Sequence, residues 1–517
     1  MAAIITEKFR YSNATVFKAD FLAGATDKYY MFLGKSAPWS SNDGSSASDS
    51  APPSPVDDVS SEMYYWDDML AAKNIGPSDI SFVVPRYNFE TGVKFDRYEH
   101  NISSTNPSTS TSQTNLFNSK FYFVTSEFRA YKVLDNNNNA DMSGTEPTDT
   151  SDGIFVHAAS GFVLQYMFTI SAADATKFLT VDFMPVSTST ALTANPADGA
   201  AQSLLVTGGG GYTPGTSYYT PIYGDGSGGI ARIVVIGGVI QDFGKTPGVT
   251  TTISQAGTGY TYGTVNLSDP PGRVYTTEGA AQTDDGVSSL ANTDGHLGGG
   301  SAGVITLNVS PKGNGTYGGH GYNPAEELGA HYVMLNTTFS STDVVDVTQQ
   351  NDFRRVGIVK SPTTYGTLTV GTASTYRTTQ ALYFDDDPSG TYLADEKITQ
   401  SATGAVGKVV EWNSTKKVLF YTQERFGDYG TTAATGKWAA FTNGGPVVGA
   451  GGASGTPGSD TDLVDINTDS TDDITFTNGV ATSELQPDSG DILYIENRKP
   501  ITRVSDQTED IKIIVEF

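Results

Sequence analysis

Cysteine is absent from this chain of 517 residues, which excludes a disulfide framework, a thiolate metal site and a cysteine nucleophile. Charge is sparse: Asp, Glu, Lys and Arg make up 17 % of residues, against about 25 % in ordinary globular domains. Basic residues are the scarcer sign, 31 against 57 acidic. The resulting net charge of −26 argues against nucleic acid, or an anionic membrane surface, as a partner. Long apolar runs are missing as well. Nothing approaches the roughly 18 apolar residues of a membrane-spanning helix, and the opening MAAIITEKFRYS has no signal-peptide core. Helical blocks rich in leucine or alanine do not occur either.

What the chain does contain is 57 glycines, 27 tyrosines, 25 phenylalanines and abundant serine and threonine. That profile predicts an all-β protein with many turns and broad polar loops. The length is too great for one core and implies about three or four domains. Ile511, Ile513, Val515 and Phe517 alternate through the last residues as a strand with one core face. Neighbouring segments look like surface decoration, so this strand is expected to pair far upstream, towards the N-terminus, leaving material looped out of a discontinuous core.

Along the chain, residues 2–21 are ambiguous between strand and helix. Strands are expected at Tyr29–Leu33, Ile80–Val84, in KFYFVTS and EFRAYKVL, in GFVLQYMFTI, and over Phe178–Val186. Ser60–Asn74 is the clearest helix, with Met63, Trp66 and Leu70 at helical spacing. Ser171 and Asp174 have capping-box spacing, and Asn323 with Pro324 opens a brief helix. Between residues 191 and 321 glycine clusters alternate with short β-branched runs. There Tyr212 and Tyr260, each followed by threonine, form a weak internal echo. Further strands are expected at Tyr332–Phe339 and Phe353–Val359, with a hairpin from Val406–Trp412 to Val418–Tyr421. Ile492–Glu496 is a short apolar run stopped by Asn497, Arg498 and Pro500.

Motifs for chemistry are few. His100, His157, His296, His320 and His331 form neither HExxH nor any close pair, and no Walker A sequence occurs. Asp135, Asn137, Asn139, Asp141 and Glu146 fall at calcium-loop positions one, three, five, seven and twelve. Against that reading, Ala140 replaces the glycine of position six, Pro147 follows Glu146, and no helix flanks the loop. An Asn-rich turn explains the same residues, and the acidic run from Asp460 reads as a solvated loop. No catalytic residue, cofactor site or metal site is assigned, and Trp39 and Trp66 are expected to be packing anchors.

The closing segment ENRKPITRVSDQTEDIKIIVEF (Glu496–Phe517) resembles that of the baseplate wedge subunit encoded by gene eight of T-even-type contractile-tailed phages. ITEKFR (Ile5–Arg10), FLGKSAPWSSN (Phe32–Asn42), the APPSP loop, the helix around Trp66 and VVPR (Val83–Arg86) follow in that family's order. YKVLD at Tyr131, FVLQYMF at Phe162 and FRRVGIVKSP at Phe353 continue it. The resemblance covers about half the chain, and the additional length falls at about 190–325 and 363–487. It implies a non-enzymatic structural subunit with a β-sandwich core, a second β domain inserted into it, and further small β insertions. The expected parts are 1–100, an inserted domain 101–190, a glycine-rich insertion 191–325, a return at 326–362, a second insertion 363–487 and closing strands 488–517. Trp39, Trp66 and Phe517 would anchor the first domain. The implied partners are a second copy, as a dimer, and the neighbouring wedge proteins, at the virion tail baseplate after assembly in the host cytoplasm. The insertions would reach a fibre or other virion protein. The alternative is a trimeric tail-fibre or adhesin protein that binds host glycans.

Overall fold

The computed structural model describes residues 4–517 except 23–25, 42, 194–198, 208–209, 242, 244–249, 266, 268–273, 283–303, 310–320, 341–347, 349–350, 425–437, 467–472 and 505–506. His296 and His320 lie outside the described residues. The period-two pattern at the end of the chain forms the strand Glu509–Glu516, in which Glu509, Ile511 and Ile513 are buried. It lies next to Tyr332–Phe339 in a sheet completed by Ile80–Pro85 and Phe183–Pro185. Its neighbour is thus upstream but not near the N-terminus; the alternation fixes only which face is buried.

The fold is predominantly β and multi-domain, with sandwich-type packing of several sheets. It divides into two compact units, one of residues 1–15, 81–334 and 514–517, the other of 16–80 and 335–513.

In the first unit a four-stranded sheet has the order Tyr122–Val124, Arg129–Asp135, Val163–Thr169, Ile154–Val156. Both faces are covered. Tyr122, Val124 and Ala130 enter one core cluster, whereas Phe123, Tyr131 and Val133 enter another. A sheet buried on both sides reads as a nearly continuous apolar run, which is why FYFV and FVLQYMF stand out. Lys132 is the exception within it: buried, it meets Glu327 Oε2 at 3.2 Å and lies 3.7 Å above the Tyr98 ring. Residues 201–309 contribute two further four-stranded sheets around one core. The two echo tyrosines both enter that core; Tyr260 donates its hydroxyl to Ile222 O and accepts from Gly229 N.

In the second unit an antiparallel sheet has the order Thr375–Arg377, Met69–Asn74, Tyr29–Gly34, Asp352–Lys360, Asp491–Thr502. A nine-stranded sheet formed between Gln380 and Ala481 packs around Leu382, Phe384, Ile398, Leu419 and Tyr421. It contains the expected hairpin, Ala405–Asn413 with Val418–Thr422.

Four local readings resolve differently or more sharply. The ambiguous N-terminal segment is a helix, Glu7–Ala19. The helix expected over Ser60–Asn74 stops at Asp67, and Met69–Asn74 is a strand. Met69, Leu70, Ala71 and Ala72 are all buried, and pairing on both edges outweighs helical spacing. Phe178 ends a helix, Ala172–Phe178, capped by Ser171 accepting from Asp174 N, so the strand there shrinks to Phe183–Pro185. The strand expected to stop before Pro500 runs on through it, Asp491–Thr502. Arg355 pairs with Asn497 and Phe353 with Ile501, so Arg498, Lys499 and Pro500 bulge opposite Arg354. Proline is tolerated because it sits in a bulge of an edge strand, where no ladder donor is required.

Candidate functional site

The strand Asp352–Lys360 carries two successive arginines into the second unit, and both are buried. Arg354 forks onto Asp49, with Nε–Oδ1 2.8 Å and Nη2–Oδ2 3.0 Å. It also donates to Asp352 and to Ser36 O. The Arg354 fork holds the Asp49 carboxyl below its ordinary value, against the smaller opposing effect of burial. Arg355 donates to Asp68 and, at 2.9 Å, to Asn497 Oδ1. Its guanidinium stands 4.6 Å from the Tyr65 ring and 5.5 Å from the Trp39 ring.

The loop after Tyr29–Gly34 closes over these arginines. Lys35 has a left-handed backbone (φ 60°), and its amide donates to Asp68 O at 2.8 Å. Its ammonium pairs with Asp43 at 2.7 Å while remaining buried. Burial alone would lower the Lys35 ammonium; Asp68, Glu424 and Asp43 together outweigh it and hold the group above its ordinary value. Trp39 donates its indole N–H to Arg498 O, a carbonyl of the bulge, at 2.9 Å. Tyr65 bonds both N–H and C=O of Val56 at 2.9 Å, and Asn497 donates to Pro53 O at 3.0 Å. Between these parts lies a cavity of about 150 Å³ lined by Lys35, Trp39, Asp43, Tyr64, Tyr65, Asp67, Asp68, Arg355 and Glu424 among others.

Trp39 is in this site. Trp66 is buried in the adjoining core with Tyr30, Phe32 and Met69, and Phe517 donates its amide to His331 O at 3.1 Å in the other unit. Asp135–Asp141 forms a turn with three consecutive left-handed residues, Asn137, Asn138 and Asn139. Asp135 accepts from Asn137 N at 2.8 Å, and Asn139 Oδ1 accepts from Thr109, Ser110 and Asn136. Asp141 pairs with Lys94 at 3.1 Å, and Glu146 accepts from Ser126 N and Oγ at 2.8 and 2.5 Å. Among the described residues, no group of three or more His, Asp or Glu side chains is placed to hold a metal ion. Nor is any helix there long and apolar enough to cross a membrane.

Lys35, Asp43, Asp68, Arg355, Glu424 and Asn497 escaped the sequence reading as a group because they are scattered over the chain. One signal was present: adjacent arginines inside the apolar strand FRRVGIV, where a buried cation needs a carboxylate.

With the geometry set out, comparison with known proteins gives one positive result. Residues 3–146 match the Phage-Gp8 family, described as Bacteriophage T4, Gp8. This supports assignment to that family over the matched stretch, but not identity along the full length. No curated protein matches the chain. The matched stretch contains Lys35, Trp39, Asp43, Asp49, Tyr65 and Asp68, one half of the site; Arg354, Arg355, Glu424 and Asn497 lie outside it.

Glu424 gives a testable pH dependence. Burial, more than any neighbour, raises its carboxyl pKa above the ordinary value, while Lys35 and Lys408 oppose the shift. A carboxyl raised in the folded state leaves that state binding more protons than the unfolded chain. Its effect therefore vanishes below the unfolded pKa, and stability falls as pH rises through the folded one. Glu424→Gln should unfold at a higher temperature than the parent at pH 7–8, with the difference closing near pH 4. Equal midpoints at pH 8 would show that the carboxylate carries no penalty.

Proposed function

We propose that the chain is a structural, non-enzymatic subunit of a phage tail baseplate wedge, acting as a dimer that joins neighbouring wedge proteins during tail assembly. The observation that carries this reading is the family match over residues 3–146. It includes the N-terminal helix, the strands Tyr29–Gly34 and Met69–Asn74, and the loop that closes over the arginines. A baseplate part needs rigid β scaffolds that present polar loops to partners. Buried arginine forks tying an N-terminal loop to C-terminal strands suit that demand. Residues 191–325 and, within 363–487, the part beyond the core strand Thr375–Arg377 would be additions to this scaffold, the second reaching a fibre or another virion protein.

Light scattering on the purified protein tests the assembly state. A mass of about twice 54.7 kDa is expected. A trimer would overturn the dimer and favour a fibre protein instead. Deleting residues 380–481, whose ends meet where Ala381 pairs with Ala481, keeps Thr375–Arg377 in the core sheet and should leave wedge assembly intact while abolishing fibre attachment. Unchanged attachment would remove that role from the insertion.

A further inference from the structure

We infer that the cavity beside Arg355 is a receptor for a cationic side chain, an arginine presented by another protein. Four carboxylates line it, Asp43, Asp67, Asp68 and Glu424, against two cations, Lys35 and Arg355. The cations are already engaged, Lys35 with Asp43 and Arg355 with Asp68. Neither pair includes Glu424. It is 9 % exposed and lines the cavity, yet no hydrogen bond or ion pair reaches its carboxylate from the described residues. Lys35 and Lys408 act on it through space only. A buried carboxylate without a partner is costly, and an incoming cation would remove that cost.

Arginine fits better than lysine because of the walls. Trp39, Tyr64 and Tyr65 line the same space, and Arg355 already lies over the Trp39 and Tyr65 rings. A guanidinium can stack on such rings and present a planar fork to a carboxylate, which a compact ammonium cannot do. The cavity of about 150 Å³ holds about five waters' share of liquid volume, enough for a guanidinium head with part of its stem. Tyr64, which lines the space, is 39 % exposed. The positive charge of a basic partner would also be drawn by the overall charge of −26.

The test is a titration of the full-length protein with acetyl-Gly-Arg-Gly-amide, followed through the indole N–H resonances of its 4 tryptophans. The Trp39 signal, assigned by its loss in Trp39→Phe, should shift saturably. Glu424→Gln, which removes the charge at constant shape, should weaken binding at least tenfold, and Tyr64→Ala severalfold. The lysine analogue should bind more weakly to the parent than the arginine peptide. Absence of a saturable Trp39 shift in the parent would overturn the inference. So would equal affinity in Glu424→Gln, provided that variant melts no lower than the parent.

Discussion

Arg355→Met should lower the unfolding midpoint by roughly 6–20 °C. Removing one member of a buried ion pair costs about 3–5 kcal/mol, and each kcal/mol lowers the midpoint of a unit of this size by about 2–4 °C. The large effect comes from what is left behind. Asp68, with a side chain only 9 % exposed, would lose its guanidinium partner, and Asn497 would lose the donor to its carbonyl. Tyr65 and Trp39 would also lose the cation over their rings. Methionine preserves most of the stem, so lost packing is a minor part. Arg355→Lys should fall between the two, since an ammonium keeps the charge but cannot span Asp68 and Asn497 together. Pairing Arg355→Met with Asp68→Asn should recover part of the loss, because the orphaned charge is then gone. Calorimetry would measure all three. A shift below about 1 kcal/mol for Arg355→Met would mean that water reaches Asp68 and the pair is effectively a surface one.

The same pair shows what the sequence could and could not disclose. Strand character was legible wherever burial imposed a pattern: alternation at Ile511 and Ile513, and continuous apolar runs in the doubly covered sheet around Tyr131 and Leu164. Capping was legible too, because Ser171 and Asn323 act within three residues of themselves. The failures share a cause. Leu70 continues the helical spacing of Met63 and Trp66, but the strands beside it decide its conformation. Pro500 breaks a strand only if its position must donate, and the bulge that frees it depends on Phe353 and Arg355, far away in sequence. The candidate site lies at this limit. Its residues come from separated stretches, and only the folded register brings Gly34 and Asn497 to either side of Arg355. A local motif can announce a buried arginine; it cannot name the acid that meets it.

Register is also the basis of the second large effect, expected at Gly357. This residue pairs with Phe32 on one side and Ile495 on the other, in the strand next to the sheet edge. A Cβ there would lie 2.3 Å from Phe32 Cζ and 2.6 Å from Tyr494 O. The ring of Phe32 is fully buried among Tyr30, Trp66 and Met69, so it cannot swing aside freely. The carbonyl of Tyr494 is backbone and can yield only if the edge strand moves. Gly357→Ala should therefore cost about 3 kcal/mol, the upper part of the usual range for overpacking, and Gly357→Val more. The cause is space and not backbone conformation, so the remedy is specific. Phe32→Leu in the Gly357→Ala background should restore part of the midpoint, while Phe32→Leu alone should lower it. The remaining deficit would measure the Tyr494 carbonyl. If Phe32→Leu gives no rescue, the carbonyl is the dominant obstacle, and the edge strand is held more firmly than the ring. If Gly357→Ala itself is neutral, both the Phe32 ring and strand Asp491–Thr502 yield to the added methyl.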